Sequence, residues 1–299
     1  MNAPAGLAAS YVYLAASMSL VGVYVALSKP LVAVFPVFLL AGLRFAIAAV
    51  AMLHWTPKPA SEPPLDGSDR GVLFIGSFLG NFLFSICMLY GVQATSALAA
   101  GVGMAGLPAM VALLSWLFLK ERLSARLLLA MACAALGIAL VALARNAPGE
   151  LAAPWWGYAL LVAAVVCEAA YVVVGKRLSA KLGPKRISAL INLWGLALIA
   201  PLAAWQLLGP GFDFGRVRAA DWGLLVFYAL AASMVAVWLW MKGLEQVPAS
   251  RAGVFAVMLP IASSAVGIFW LGEHAGPLHG VALALALLGV WLASSPSRR

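Results

Sequence analysis

Two charged side chains stand where the surrounding sequence offers almost nothing else polar. Glu168 lies in the apolar run 155–175 and is the one acidic residue deep inside such a run. Arg44 is the one basic residue placed in the same way, in the run 31–53. An ionised carboxylate in hydrocarbon is costly, so Glu168 has to face a cavity, meet a cation or hold a proton. It could bind a cationic group of a substrate, carry the proton of a proton/substrate antiporter, or serve as a buried structural carboxyl. Arg44 keeps its charge under any physiological condition. It could clamp a substrate carboxylate or tie helix ends together through backbone carbonyls. Lys176 follows Glu168 by eight residues and His54 follows Arg44 by ten. At 1.5 Å per helical residue these spacings put the two groups about 12 and about 15 Å below the same boundary, so an Arg44–Glu168 pair is a further option.

Other candidates are neutral. Tyr24, Tyr171, Asn81, Asn192 and Gln93 are polar groups inside or beside apolar runs. Each could line a cavity or make an interhelical hydrogen bond worth about 0.6 kcal/mol. Trp116, Trp194, Trp238 and Trp240 could line the same cavity or face lipid. Pro108 and Pro260 sit mid-run in glycine-rich surroundings that include Gly101 and Gly253. Each removes a backbone donor and crowds the carbonyl four residues back, at Met104 and Ala256, so a kink is expected at both. The kinks read as gate hinges or as fixed bends lining the cavity. Gly101 to Gly106 spells GxGxxG, but it lies inside an apolar run with no preceding strand, which rejects a dinucleotide site. Glu121 and Glu273 follow their runs and are expected to cap or pair locally. His54, His274 and His279 lie near run ends and read as structural.

The elements that carry these residues follow from composition. Of 299 residues, 65% are hydrophobic and 10% charged, against roughly 25% charged in soluble domains. Ten apolar runs are readable, at 8–28, 31–53, 71–90, 95–119, 125–144, 155–175, 187–208, 220–241, 247–271 and 278–294. Runs of this length in lipid are helices, because every backbone group must be satisfied within its own segment. The expected fold is all-α integral membrane, with ten transmembrane helices. Met1 to Leu7 holds no Lys or Arg, so the first run reads as a retained helix and not a cleaved signal. Cys87, Cys133 and Cys167 are dispersed in apolar runs and form no metal or disulfide framework.

With an even number of spans both termini share one side. Lys and Arg on that side number fourteen: Lys58, Arg70, Lys120, Arg122, Arg126, Lys176, Arg177, Lys181, Lys185, Arg186, Lys242, Arg251, Arg298 and Arg299. The opposite side has four: Lys29, Arg145, Arg216 and Arg218. This excess places the termini in the cytoplasm. The net charge of +9 is thereby a matter of topology and not of nucleic-acid binding.

The chain also repeats itself. A shift of 152 residues lays Gly91 on Gly243, Gly101 on Gly253, Leu107-Pro108 on Leu259-Pro260, Glu121 on Glu273 and Leu136-Gly137 on Leu288-Gly289. Upstream a shift of 147 lays Tyr24-Val25 on Tyr171-Val172 and Lys29 on Lys176. Each copy holds five runs, an odd number, so the copies enter the membrane in opposite directions. The division falls at 1–146 and 147–299. Inverted-topology repeats of this kind place substrate near the midplane at the repeat interface and alternate access between the two faces.

The stretch Leu89-Tyr90-Gly91, Thr95-Ser96-Ala97, Leu107-Pro108 and Leu119-Lys120-Glu121-Arg122-Leu123 resembles the EamA type of the drug/metabolite transporter superfamily. So do its second copy around Pro260 and Leu271-Gly272-Glu273, the segment Gly22 to Lys29, and Pro36 with Leu43-Arg44-Phe45. The resemblance implies a ten-helix exporter of the bacterial-type inner membrane with a central cavity, moving amino acids or related metabolites and drugs. It brings no cofactor and no metal, and its partners are a small-molecule substrate, the bilayer and possible coupling protons, in a monomer or weak oligomer. The family often has Trp in the first span and at the related place in the sixth; here Val21 and Glu168 stand there. The other function classes are a passive channel or lipid-type translocator on the same fold, and an intramembrane enzyme. No Walker-type loop, HExxH or GxSxG is present.

Overall fold

The computed structural model describes residues 5–60, 62–119, 125–143, 153–175, 181–209, 212–244, 247 and 253–294. These residues are helical or connecting, with no strand among them. Six helical stretches are long and apolar enough to cross a membrane: Ala8–Val34, Gly67–Ala94, Ala125–Leu143, Trp155–Val174, Lys185–Leu208 and Ala219–Trp240. Ala97–Met104 and Leu107–Phe118 form a bent pair, and Val37–Ala51, Phe255–Trp270 and Pro277–Ala293 are shorter apolar helices.

In chain order the α-helices are α1 (Ala5–Val34), α2 (Val37–Ala51), α3 (Gly67–Ser77), α4 (Phe84–Ala94), α5 (Ala97–Met104), α6 (Leu107–Leu119) and α7 (Ala125–Leu143). They continue as α8 (Trp155–Gly175), α9 (Pro184–Leu208), α10 (Ala219–Leu230), α11 (Ala236–Leu244), α12 (Met258–Ala265) and α13 (Pro277–Ser294). The break between the first two runs falls later than the sequence reading placed it. The first run was expected to stop at 28, yet α1 runs through Pro30 to Val34. The chain breaks instead at Phe35-Pro36, since a residue before proline disfavours the helical conformation. The long runs are also not uniform. Phe78–Leu83 is a π-helical turn joining α3 to α4, and Ala231–Val235 is another joining α10 to α11. A third, Val266–Trp270, follows α12.

The expected proline kink is present at Pro108, although the break falls just before it. α5 and α6 meet at Ala105-Gly106 with a bend of 41°. Pro108 is then the second residue of α6, where its missing N–H costs nothing. Around Pro260 the helix is 3₁₀ over Gly253–Val257 and becomes α at Met258.

Packing pairs recur across the chain. α1 lies against α11 and α12, and α8 lies against α4 and α6. α2 packs on α9, α5 on α12, and α7 on α13. Individual glycines make the close approaches: Gly91 against Leu161 and Gly243 against Leu14, Gly137 over the Ala282 carbonyl and Gly289 over the Ala130 carbonyl. Small residues let helix backbones approach where lipid supplies no hydrophobic drive. Ser17 Oγ donates to the Ala236 carbonyl at 2.7 Å, a buried tie between α1 and α11.

The polar linker before α3 is held by charge. Asp66 and Asp69 form a capping box on α3, and Lys181 Nζ reaches Asp69 at 2.6 Å and Asp66 at 3.3 Å. Arg186, at the start of α9, pairs with Glu62, which also accepts from the Gly183 N–H at 3.1 Å. Burial pushes the Glu62 carboxyl up, but the Gly183 N–H and the Arg186 and Lys58 charges outweigh it and hold it below the ordinary glutamate value. A carboxyl lowered on folding stabilises above its unfolded value of about 4.3 and loses that contribution as pH falls through its folded value. The difference in Tm between wild type and Glu62→Gln, in detergent, is therefore expected to be constant above about pH 5 and to shrink below about 4.3. Equal Tm values across the range would show the pair to be ornamental to stability.

Candidate functional site

α8 carries Glu168 and Tyr171 on one face, three residues apart. Glu168 is half-buried, and among the described residues it has no hydrogen-bond donor and no direct ion pair. Its charge acts on Arg44 of α2, on Tyr24 of α1 and on Tyr171. Tyr228 of α10 joins them, its ring edge-on to that of Tyr24 with the ring centroids 5.9 Å apart. Four helices thus bring one carboxylate, one guanidinium and three phenols together, and two of these helices come from each half of the chain.

Arg44 is 6% exposed, and its Nε has no hydrogen-bond partner. The optional Arg44–Glu168 pair is not formed as a direct ion pair. The guanidinium stacks instead, 4.5 Å from the centroid of Phe45 and 5.8 Å from that of Tyr228. A cation over an aromatic face is stabilised by about 0.5–2 kcal/mol, and the stack leaves N–H donors unspent. Removing charge from water without full pairing costs several kcal/mol per ion. Both halves of this site therefore carry unspent capacity, a carboxylate without donors and a guanidinium with an open one.

The asparagines do something different. Asn192 Nδ2 donates to the Phe45 carbonyl at 2.9 Å, tying α9 to α2 beside Arg44, while its Oδ1 is buried without a partner. Asn81 Nδ2 donates to the Ile191 carbonyl at 2.9 Å. Asn81 lies in the π turn Phe78–Leu83, and Gly80 of that turn lets the Tyr171 ring lie directly on the backbone. Each amide thus spends one donor on an interhelical hydrogen bond. Gln93 is exposed and donates to the Val32 carbonyl at 3.4 Å. Trp116, Trp194 and Trp238 are each at least 40% exposed, which favours the outward-facing reading of the three. Trp240 packs with the small Leu14 and Val247 cluster.

Of the hinge candidates, Gly101 lies against Ser263 and Pro260, so α5 and α12 touch there. Gly253 opens the 3₁₀ turn before α12. Glu273 corrects the expectation of local pairing, because it binds 175 residues away. Its Oε1 accepts from the Ala97 N–H at 2.7 Å and its Oε2 from the Leu98 N–H at 2.9 Å. Glu121 lies outside the described residues. His54 packs edge-on against Trp55, and His279 Nδ1 accepts from the Gly276 N–H at 3.1 Å, as structural histidines do. Among the described residues no group of His, Cys, Asp and Glu is placed to hold a metal.

The profile of the EamA-like transporter family matches residues 8–143 and again 155–295. The chain belongs to this family. It is 33% identical over 286 residues to the uncharacterized transporter YetK of Bacillus subtilis (strain 168), covering 95% of this chain and 86% of that protein. An uncharacterized transporter of Archaeoglobus fulgidus is 26% identical over 85% of this chain and 87% of its own. A solved crystal structure shares the fold, with a TM-score of 0.62 at 19% identity over 96% of both chains. This EamA protein is accordingly a multi-pass membrane protein of a transporter family.

Tyr228 escaped the sequence reading because nothing in a run of Leu, Val and Ala marks which aromatic will meet the guanidinium of a distant helix. If it holds Arg44 in place, Tyr228→Leu is expected to lower Tm in detergent, while Tyr228→Phe keeps the stack and most of the stability. The difference between the two variants should correspond to about 0.5–2 kcal/mol. Indistinguishable Tm values would remove Tyr228 from the site.

Proposed function

We propose that this EamA protein is a secondary active transporter that exports amino acids or related small metabolites by alternating access. The observation that carries this reading is the pair of unspent charges, Glu168 and Arg44, close enough for each to feel the other's charge without pairing directly, with Tyr24, Tyr171 and Tyr228 around them. A solute bearing an ammonium and a carboxylate answers both at once. The ammonium meets Glu168 and the phenol rings, and the carboxylate meets Arg44 in the bidentate geometry a guanidinium favours. Between solutes, Glu168 is free to take a proton, which would couple export to the proton gradient. The absence of recognisable catalytic motifs in the sequence supports a carrier over an intramembrane enzyme.

The architecture of this proposal is ten spans in two inverted five-helix halves, 1–146 and 147–299, with both termini cytoplasmic in a bacterial-type inner membrane. Six long helices, one bent pair and three shorter apolar helices supply ten segments. Reciprocal contacts support a two-fold relation between the halves. Gly91 meets Leu161 as Gly243 meets Leu14, and Gly137 meets Ala282 as Gly289 meets Ala130, each pair being the other under the repeat shifts. The π turns at Phe78–Leu83 and Ala231–Val235 fall at matched positions too. Reciprocity of this kind is what a two-fold axis produces, and five spans per half turn that axis into the membrane plane. The broken helices around Pro108 and Pro260 are the hinges in this scheme.

The test is flux into liposomes under an imposed pH gradient, with radiolabelled amino acids at saturating and subsaturating concentrations. Wild type is expected to show saturable, pH-dependent exchange. Arg44→Gln should raise the apparent KM for solutes bearing a carboxylate by roughly tenfold or more, the loss of one charged hydrogen bond. Glu168→Gln should abolish the response to the pH gradient. Unsaturable flux through wild type would favour a channel, and full proton-driven transport by Glu168→Gln would remove Glu168 from the coupling role.

A further inference from the structure

Glu273 does not belong to the charge cluster at the centre, yet it makes a polar bond between the two halves that a moving carrier would have to break. The chain arrives at it by a reversal. The π turn Val266–Trp270 ends α12, Gly272 takes a left-handed φ of 68°, and the Glu273 N–H donates back to the Gly267 carbonyl at 2.9 Å. The carboxylate is thereby laid over Gly267, where any Cβ would collide with it. From there it takes the first two amides of α5, Ala97 at 2.7 Å and Leu98 at 2.9 Å, while Ser96 Oγ takes the third, Ala99, at 3.0 Å. A helix N-terminus carries unsatisfied amides and partial positive charge, so a carboxylate is its natural partner. Here that carboxylate comes from the other half of the chain.

Lys29 completes the junction. Its Nζ donates to the carbonyls of Val92 at 2.9 Å and Thr95 at 2.5 Å, holding the last carbonyls of α4, and its charge acts on Glu273. The α4–α5 corner is therefore fastened on its carbonyl side from α1 and on its amide side from the segment after α12. Lys29 stays within its own half, and Glu273 crosses. Ser263 Oγ adds a second crossing bond, to the Ala97 carbonyl at 3.0 Å.

The crossing bonds differ in how readily they can be released. The ties Ser17–Ala236 and Asn192–Phe45 are buried on both sides, so breaking them would strand a donor or acceptor away from water. Glu273 is half-buried at the edge of the molecule, where its carboxylate and the α5 amides can pass to water on separation. Ser263 on release can donate to the carbonyl four residues back in its own helix, as helical serines do. We propose that Glu273 is a releasable latch. Its carboxylate closes the end of the molecule that holds Lys29 and the α4–α5 corner by binding the amides of α5, and opens that end by letting go so that α12 can part from α5. In the carrier reading, on which the transport role of this latch rests, the positive-inside count puts that end opposite the termini.

The test uses the full chain in lipid nanodiscs, where both faces are open to reagent. Cys87, Cys133 and Cys167 are replaced by alanine and Leu98, buried beneath the latch, by cysteine. Labelling by a water-soluble maleimide is followed with Glu273 intact and in Glu273→Gln and Glu273→Ala. The latch predicts slow labelling with Glu273 and an increase of about tenfold or more in Glu273→Ala, the value of roughly one charged hydrogen bond. Amide exchange over residues 96–100 in Glu273→Gln, with the native Leu98, gives an independent reading and should accelerate with it. Unchanged labelling and exchange in monodisperse variants overturn the latch. Accelerated labelling beside a wild type that carries no saturable flux in liposomes would uphold the closure and sink the carrier reading instead.

Discussion

Hydrocarbon offers no hydrogen bond. Every polar group that this chain places within a span has to be answered by another part of the chain, and much of the helix arrangement follows from that demand. Asn192 answers the Phe45 carbonyl, Asn81 the Ile191 carbonyl and Ser17 the Ala236 carbonyl. Each of these bonds joins elements far apart in sequence, so the polar minority acts as a set of staples through a body held together mainly by shape. Glycine supplies the shape: backbones meet at Gly22, Gly101, Gly137 and Gly289, where an added Cβ would meet the neighbouring helix.

Buried polar atoms such as Asn192 Oδ1, Ser85 Oγ and Ser264 Oγ also lack partners, but Arg44 and Glu168 stand out because what is left unmatched on them is charge. Aromatic rings support the guanidinium from the side without consuming its donors. A group that is desolvated but not matched is kept at a cost, and such costs collect at functional sites. The residues around the pair are more conventional. Phe45 and Tyr228 belong to a dense apolar cluster with Leu31, Phe35, Leu40 and Leu225, so the rings that steady Arg44 are themselves steadied by packing.

Much of this was readable before any coordinates. An all-helical chain that crosses the membrane several times follows from run length, because nothing but a helix tolerates so many consecutive apolar residues in lipid; that the runs 31–53 and 247–271 would hold only the shorter helices Val37–Ala51 and Phe255–Trp270 does not. Glu168 and Arg44 were visible as exceptions to composition. The repeat announced itself through Pro, Glu and Gly, which recur less by chance than Ala or Leu. What stayed hidden depended on distance. No pattern in the sequence says that Glu273 reaches Ala97, that Tyr228 meets Arg44, or that Asn81 will be spent on a backbone carbonyl. The extension of α1 through Pro30 was hidden for another reason, since a proline alone does not decide between a bend within a helix and its end. The π turns left no trace either, being made of the same Phe, Leu, Ala and Val as the helices around them.

Those π turns have a mechanical meaning. An i→i+5 turn holds one residue more than the helix needs. If hydrogen bonds are exchanged one at a time, that surplus can travel along the rod, and the stretch it passes rotates by about 100°, one residue's share of a 3.6-residue turn. Two of the long helices carry such a surplus mid-course, at 78–83 and 231–235, the first against the Tyr171 ring and the second just past Tyr228. Passage of such a surplus turns only the stretch it crosses and leaves the segments beyond it in place, without unwinding backbone into the lipid.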